Sequence, residues 1–594
     1  MKSSGRKSWL LLGFLTMGVL TLGGMSRGWA TQDAPAGAKP AEAAAPAAIT
    51  AADPAPAPAP AVPAPAAPAP AAPDPANTPT GPDSTGAGYT GANTTAGLTG
   101  DKDPKTGKIT VTLESLAADV KATKIGVNMM WTLVTGFLVM FMQLGFALLE
   151  TGLCRAKNVA HTMAMNLVIY ATGMMAFWAC GFAIMAGGWG PVVALDGPNI
   201  LDTIFSLKIN GQDWGIFGHK GFFLTGPVND ATVLVLFLFQ MVFMDTAATI
   251  PTGAMAERWK FSSFMIYGFF MAGILYPVYG CWVWGGGWLS TLGKNLGLGN
   301  GHVDFAGSSV VHMTGGLTAL AGAIILGPRI GKFNKDGTAN AIPAHNIVLV
   351  VTGTLILAFG WFGFNPGSSL AATDLRIASI AVCTMLATAA GCLTAVLYMW
   401  ALYGKPDPTM ACNGLLAGAV AITAPCAFVS PVGAVCIGAI AGVLVIWGVL
   451  FVEKILKVDD PVGAVAVHGV NGAFGCLCVG LFATGEYGKG LNGVADKAPT
   501  GIFYDLKNGL PQLEAQAIGV LANILWVLPV SLLFFFILEK VMGNRTTARA
   551  EIEGLDIHEM GIPGYVHEDT YPITTAGQQH LDTHGPGVPT KLYK

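Results

Sequence analysis

The chain has 594 residues, of which 52% are hydrophobic and only 11% charged, a balance that indicates a polytopic membrane protein and excludes a soluble enzyme. Its formal net charge of -3 is dispersed, with no basic stripe to follow a phosphate backbone, which argues against nucleic acid as a partner. The ten cysteines fall almost wholly within apolar runs and show neither a disulfide framework nor metal-ligand spacing.

Residues 1–30 carry a basic start (Lys2, Arg6, Lys7), an apolar run from Trp9 to about Gly23 and small residues at Gly28 and Ala30, the pattern of a cleavable secretory signal. An uncleaved signal anchor is the alternative. Residues 31–124 read as an Ala/Pro-rich disordered extracytoplasmic linker, with a short helix candidate near Leu113–Ala122. Between 125 and 542 lie eleven apolar segments of spanning length, near 126–152, 160–187, 231–254, 262–288, 305–327, 346–365, 376–402, 409–428, 431–452, 462–483 and 514–541. The connections after the first, third, fifth, seventh and ninth segments hold Arg155, Lys157, Arg258, Lys260, Arg329, Lys332, Lys335, Lys405, Lys454 and Lys457. The alternate short connections hold few basic residues, so the first set is expected to be cytoplasmic. That places the mature N-terminus outside the inner (plasma) membrane and the tail, 543–594, in the cytoplasm. The tail's His558, His567, His580 and His584 read as solvated residues rather than a metal site.

One pattern occurs twice: Asp304-Phe-Ala-Gly307-Ser-Ser-Val-Val311-His312 and Asp460-Pro-Val-Gly463-Ala-Val-Ala-Val467-His468, each followed four residues later by Gly316 or Gly472. Each copy opens an apolar segment and sets its histidine about 12 Å along a helix from its aspartate, near the middle of a hydrocarbon core about 30 Å thick. The copies fall on the fifth and tenth segments. Eleven spans therefore divide into two five-helix units, inverted because their number of spans is odd, plus one more helix, with a central site expected where the histidines converge. Two helix caps and two unrelated core histidines are the bland alternative.

Histidines titrate near neutral pH and both donate and accept hydrogen bonds, which suits the passage of a small hydrogen-bonding solute or a proton. Aromatic and small polar residues surround them in sequence: Phe239-Gln-Met-Val-Phe243, Trp284-Gly-Gly-Gly287 and Trp361-Phe-Gly-Phe364-Asn-Pro-Gly-Ser368. An indole face attracts a cation by about 0.5–2 kcal/mol, enough to recruit an ion at a vestibule. Moving an ammonium-sized ion into low dielectric costs on the order of 20 kcal/mol. Removing its proton at pH 7, from a lysine-like pKa of about 10.4, costs only about 5 kcal/mol. Deprotonation before passage is the cheaper route. Taken singly, each aromatic also fits packing or interfacial anchoring.

These stretches, with Gln143-Leu-Gly-Phe-Ala-Leu-Leu-Glu150, Arg155-Ala-Lys-Asn158, Gly253-Ala-Met-Ala-Glu257-Arg258, Asp459-Asp460-Pro461, His468-Gly469-Val470 and Glu553-Gly-Leu-Asp556, resemble the ammonium transporter family (Amt/Mep/Rh) of the bacterial Amt type across nearly everything after residue 125. The resemblance implies an external ammonium-recruiting site of Phe243, Trp284 and Ser368 with Phe239 beside it, and a phenyl gate of Phe243 and Phe364. It implies pore histidines at His312 and His468, and an acid beneath the recruitment site at Asp304, which also caps its helix. It further implies a homotrimer in membrane lipid with one central pore per subunit, ammonium or ammonia as substrate, no cofactor, and a tail able to meet a PII-type signal protein. An ammonium sensor signalling through the tail is the second reading. Asp245 departs from the family pattern; two positions along a helix turn it by about 200° away from Phe243, which favours a structural hydrogen bond or subunit contact over a cation site. Glu150 is a further acid near the end of the first span, with no role assigned.

Overall fold

The computed structural model describes residues 101–190, 192–197, 201–489 and 497–565. The expected signal, most of the linker, and His567, His580 and His584 lie outside the described residues. The protein is an all-α bundle, with ten helices long and apolar enough to cross a membrane among the described residues. They are α1 (Leu113–Leu153), α2 (Ala156–Ala186), α3 (Ala231–Ala254), α4 (Phe261–Val283), α5 (Ser308–Leu326), α6 (Ile347–Ser369), α7 (Ile377–Tyr403), α9 (Pro431–Ile455), α10 (Val465–Phe482) and α11 (Leu506–Val541).

The eleventh expected segment, 409–428, forms the shorter apolar helix α8 (Pro408–Thr423). It stops where Pro425 approaches, and the Phe305 and Ala306 amides then donate to the Ala424 and Thr423 carbonyls. The chain leading into α5 thus satisfies the end of α8. Helix α1 begins at Leu113, so the linker boundary expected at 124 falls inside a continuous helix. Its first turn is a capping box in which Thr112 and Ser115 exchange bonds. A helix of 41 residues is about 60 Å long, so its polar start projects beyond an apolar layer about 30 Å thick. Two-residue strands β1 (Asp101–Lys102) and β2 (Ile109–Thr110) precede α1, and the segment between α2 and α3 contains a hairpin, β3 (Ile204–Ile209) paired with β4 (Gln212–Gly218). Asn210 and Gly211 turn the hairpin with φ of 52° and 76°, the geometry an Asn-Gly pair favours.

The packing of the first five helices recurs in the second five. Helix α1 packs on α3 as α6 packs on α8, α2 on α4 as α7 on α9, and α3 on α5 as α8 on α10; α11 covers both α5 and α10. The two units are also inverted. Arg329, just past the end of α5, uses its backbone N–H and its guanidinium to hold Asp459, just before α10. One repeat helix therefore starts where the other ends. Both open in wide π-helical turns after a glycine with positive φ, Gly307 at 116° and Gly463 at 79°.

Candidate functional site

The two repeat helices cross where their glycines remove side chains. A Cβ on Gly316 would lie 2.2 Å from the Gly469 nitrogen, and one on Gly472 would lie 2.9 Å from the Met313 nitrogen. Each glycine four residues past one histidine thus faces the residue one past the other, the reciprocity expected of a pseudo-two-fold axis. This approach brings His312 and His468 together, with Nδ1 atoms 3.2 Å apart and ring planes inclined by 27°. One nitrogen donates and the other accepts, so the tautomers of the pair are linked. Both rings are buried, and His312 Nε2 has no hydrogen-bond partner among the described residues.

From His312 a line of rings continues toward the end of the bundle marked by Asp304. Phe364 stacks on His312 at a centroid distance of 5.3 Å, and Phe243 stacks on Phe364 at 4.1 Å. Beyond them Trp284 meets Phe243 edge-on at 6.3 Å, and Phe239 lies 4.7 Å from Phe243. Both phenyl rings are fully buried, which closes the line between Trp284 and the histidines. Ser368 lies one turn past Phe364 and donates its hydroxyl to the Phe364 carbonyl (2.8 Å). The Trp284 indole donates to the Asp304 carbonyl at 2.7 Å.

The Asp304 carboxylate is wholly engaged at the start of its helix. Oδ1 accepts from the Gly307 and Ser308 amides, and Oδ2 from the Ser309 amide and hydroxyl and the Val310 amide. That is the capping part of its expected role. His302, Asp304 and Cys476 stand close enough together to offer ligand atoms to a metal ion, but the aspartate oxygens already hold five donors. Asp460 caps the second repeat helix in the same manner, accepting from the Gly463 and Val465 amides.

Three features went unassigned by sequence reasoning. Trp361 stacks on His312 at 5.4 Å, beside Phe364 at 5.8 Å, and is fixed by a bond from its indole to Thr423 Oγ1 (3.0 Å). Its place one turn before Phe364 was the available signal. Glu150 lines a cavity of about 20 Å³ with His468, Phe146 and Asn413, at the opposite end of the pore from Trp284. A lone acid inside an apolar run is the signal there. At that same end Arg329 bridges Asp459 (2.9 Å) and Glu257 (2.5 Å), Arg155 also pairs with Glu257, and the tail's Glu551 binds Arg545 and the Ile330 amide. Burial pushes the Asp459 carboxyl up, but Arg329 and Arg258 outweigh it and hold it at about 2. Asp245 is buried at 2% exposure, and its Oδ1 has no hydrogen-bond partner among the described residues, so that oxygen does not make the structural bond expected of it.

Residues 130–565 match the model of the Ammonium Transporter Family. Ammonium transporter Amt2 of Archaeoglobus fulgidus is 45% identical over 453 residues, covering 75% of this chain and 90% of the relative. Among solved structures, one titled Sensor Amt Protein superposes with a TM-score of 0.63 at 36% identity, over 74% of this chain and 99% of its own. Mep2 of Candida albicans, at 24% identity and a TM-score of 0.60 over 76% and 92%, shares the fold.

Proposed function

The chain belongs to the Ammonium Transporter Family, a family of transporters rather than enzymes, and from that premise we propose that it draws ammonium to an aromatic vestibule, deprotonates it and conducts ammonia past twin histidines. The observation that carries this reading is the unbroken ring sequence Trp284, Phe243, Phe364, His312, His468. Trp284, Phe243, Phe239 and Ser368 form the recruiting end, where ring faces attract a cation. The buried Phe243–Phe364 stack then excludes a hydrated ion. Desolvating the cation costs on the order of 20 kcal/mol, while giving up its proton costs about 5 kcal/mol at pH 7. The neutral amine passes between rings that open transiently and meets the linked imidazoles, which offer both a donor and an acceptor.

The end bearing the basic connections and the tail is assigned to the cytoplasm of the inner (plasma) membrane by the positive-inside rule, with Trp284 facing outward. The protein is proposed to work as a homotrimer with one pore per subunit, and its tail to offer a surface to a PII-type partner. Sensing is not favoured, although one matched structure bears that word in its title. The described part of the tail holds only the helix Ala548–Glu553 and the π-helical turn Asp556–Met560, and the Archaeoglobus fulgidus relative is named a transporter.

Current and internal pH recorded together in proteoliposomes after an ammonium step test the proposal. Charge movement shows net cation transfer, and alkalinisation alone shows ammonia. Neither signal, from protein that is folded and oligomeric, would overturn transport.

A further inference from the structure

We propose that Glu150 is an exit acid of the pore, handing a proton to ammonia that has passed the histidine pair so that ammonium forms in the cavity between Glu150 and His468. The inference rests on the transport reading above and adds a site to it.

Glu150 sits in the last turns of α1 and is 2% exposed, and it lines a cavity of about 20 Å³, room for about one water-sized molecule, whose other wall includes His468. Val462 and Ala464, which lead into α10, close the same cavity, placing it beyond the histidines on the tail side. The carboxyl is held in place: Asn166 Nδ2 and Thr252 Oγ1 donate to Oε2 at 2.8 and 2.7 Å. Asn166 is itself fixed by Thr249, and Thr249 by Gln143. Room for the group comes from Gly253, where a Cβ would stand 3.0 Å from Oε1. Arg155 and Arg329 are committed to Glu257 and Asp459 and Arg545 to Glu551, and no arginine pairs with Glu150 among the described residues. An acid fixed by neutral donors, unpaired with a cation and facing a cavity inside a membrane is the arrangement found in proton relays.

The step balances without a further reagent. The ammonia lone pair takes the carboxyl proton, an N–H bond forms as the O–H bond breaks, and an ammonium–carboxylate pair results. Ammonium leaves to the tail side, and the carboxylate regains a proton from hydronium in the water there. Besides His468 across the cavity, the titratable groups facing Glu150 are Asp460 before α10, Cys154 at the end of α1 and Tyr267 on α4. Helix α6, which packs along α1, contributes no titratable side chain.

Right-side-out vesicles containing the full chain, with the lumen clamped at a series of pH values by an ionophore, are given ammonium and the uptake rate is measured. Glu150→Gln keeps the shape and the Thr252 bond but carries no exchangeable proton. It should reduce uptake about tenfold or more, general acid–base assistance being worth on the order of 100-fold, and should abolish the dependence on lumen pH. Glu150→Asp should keep that dependence. A Glu150→Gln protein with the parent's rate and lumen-pH profile would overturn the proposal. Should Glu150→Gln fail to assemble, Thr252→Val, which removes one donor to Oε2, carries the test: a shifted lumen-pH midpoint supports the proposal, and an unshifted one overturns it. A parent protein that moves no ammonium at any lumen pH would instead sink the transport reading.

Discussion

Gly316 lies against Gly469 so closely that a Cβ at position 316 would fall 2.2 Å from the Gly469 nitrogen and 2.5 Å from its Cα. Backbone meets backbone there, and no rotamer change relieves the clash. The contact lies one turn past His312 and one residue past His468, so the distance between the histidines is set by the absence of two side chains. Gly316→Ala should cost about 1–3 kcal/mol through overpacking and displace the imidazoles, lowering both the melting temperature in detergent and the flux. Gly433→Ala in α9, where an added Cβ meets nothing closer than 3.6 Å, should change neither. Equal melting temperatures for the two variants would contradict this account of the crossing.

Because His312 and His468 share a hydrogen bond between Nδ1 atoms, each fixes the tautomer of the other. His312→Ala and His468→Ala should each impair or alter conduction, and the double variant should lose much less than the sum. A coupling of about 0.5–3 kcal/mol is usual for residues in contact. Additive losses in a double-mutant cycle on ammonium flux would refute a coupled pair.

The helix count, the inverted halves and the meeting of the histidines were legible in sequence, since apolar length, loop charge and a repeated Asp-x-x-Gly spacing all report on the same topology. The limits of that reading have physical causes. Residues 424–428 are as apolar as α8 itself, but Pro425 ends the ladder, and composition alone does not register the break. The hairpin at 204–218 lies outside the apolar segments, and its Asn210-Gly211 turn was the overlooked sign. Glu150 was visible as an acid in an apolar run, yet its setting depends on Asn166 and Thr252, sixteen and 102 positions away. Such partners appear only once α1, α2 and α3 are packed.

Asp459 should tie stability to acid pH. Its carboxyl is held at about 2 in the fold, below the unfolded value of about 3.9. Its contribution is therefore fully present above about pH 4 and is lost as the pH falls through about 2, amounting to roughly 2–3 kcal/mol. Asp459→Asn removes one of the two carboxylates that Arg329 bridges and should lower stability at neutral pH by about that same 2–3 kcal/mol. Melting curves of parent and variant should converge as the pH is lowered toward 2. A gap that stays constant down to pH 2 would mean that the carboxylate charge contributes nothing.

Asp304 combines a cap with a charge beside Trp284, and its geometry decides what an asparagine there would do. At an ordinary N-cap asparagine serves about as well as aspartate, because a single oxygen suffices. Here both oxygens work: Oδ1 holds the Gly307 and Ser308 amides while Oδ2 holds two amides and the Ser309 hydroxyl. The amide nitrogen brought in by Asp304→Asn would face the Ser309 and Val310 N–H groups, donor against donor, leaving buried donors unsatisfied at about 1–3 kcal/mol. Asp304→Asn is therefore expected to lose stability as well as transport, and Asp304→Ala to lose more of both. The charge is tested separately by Ser309→Ala, which removes one donor to Oδ2 and leaves the carboxylate in place; it should melt slightly lower while keeping most flux at limiting ammonium. If Asp304→Asn instead melts like the parent and conducts like it at limiting ammonium, neither the two-oxygen cap nor the electrostatic role assigned to Asp304 survives.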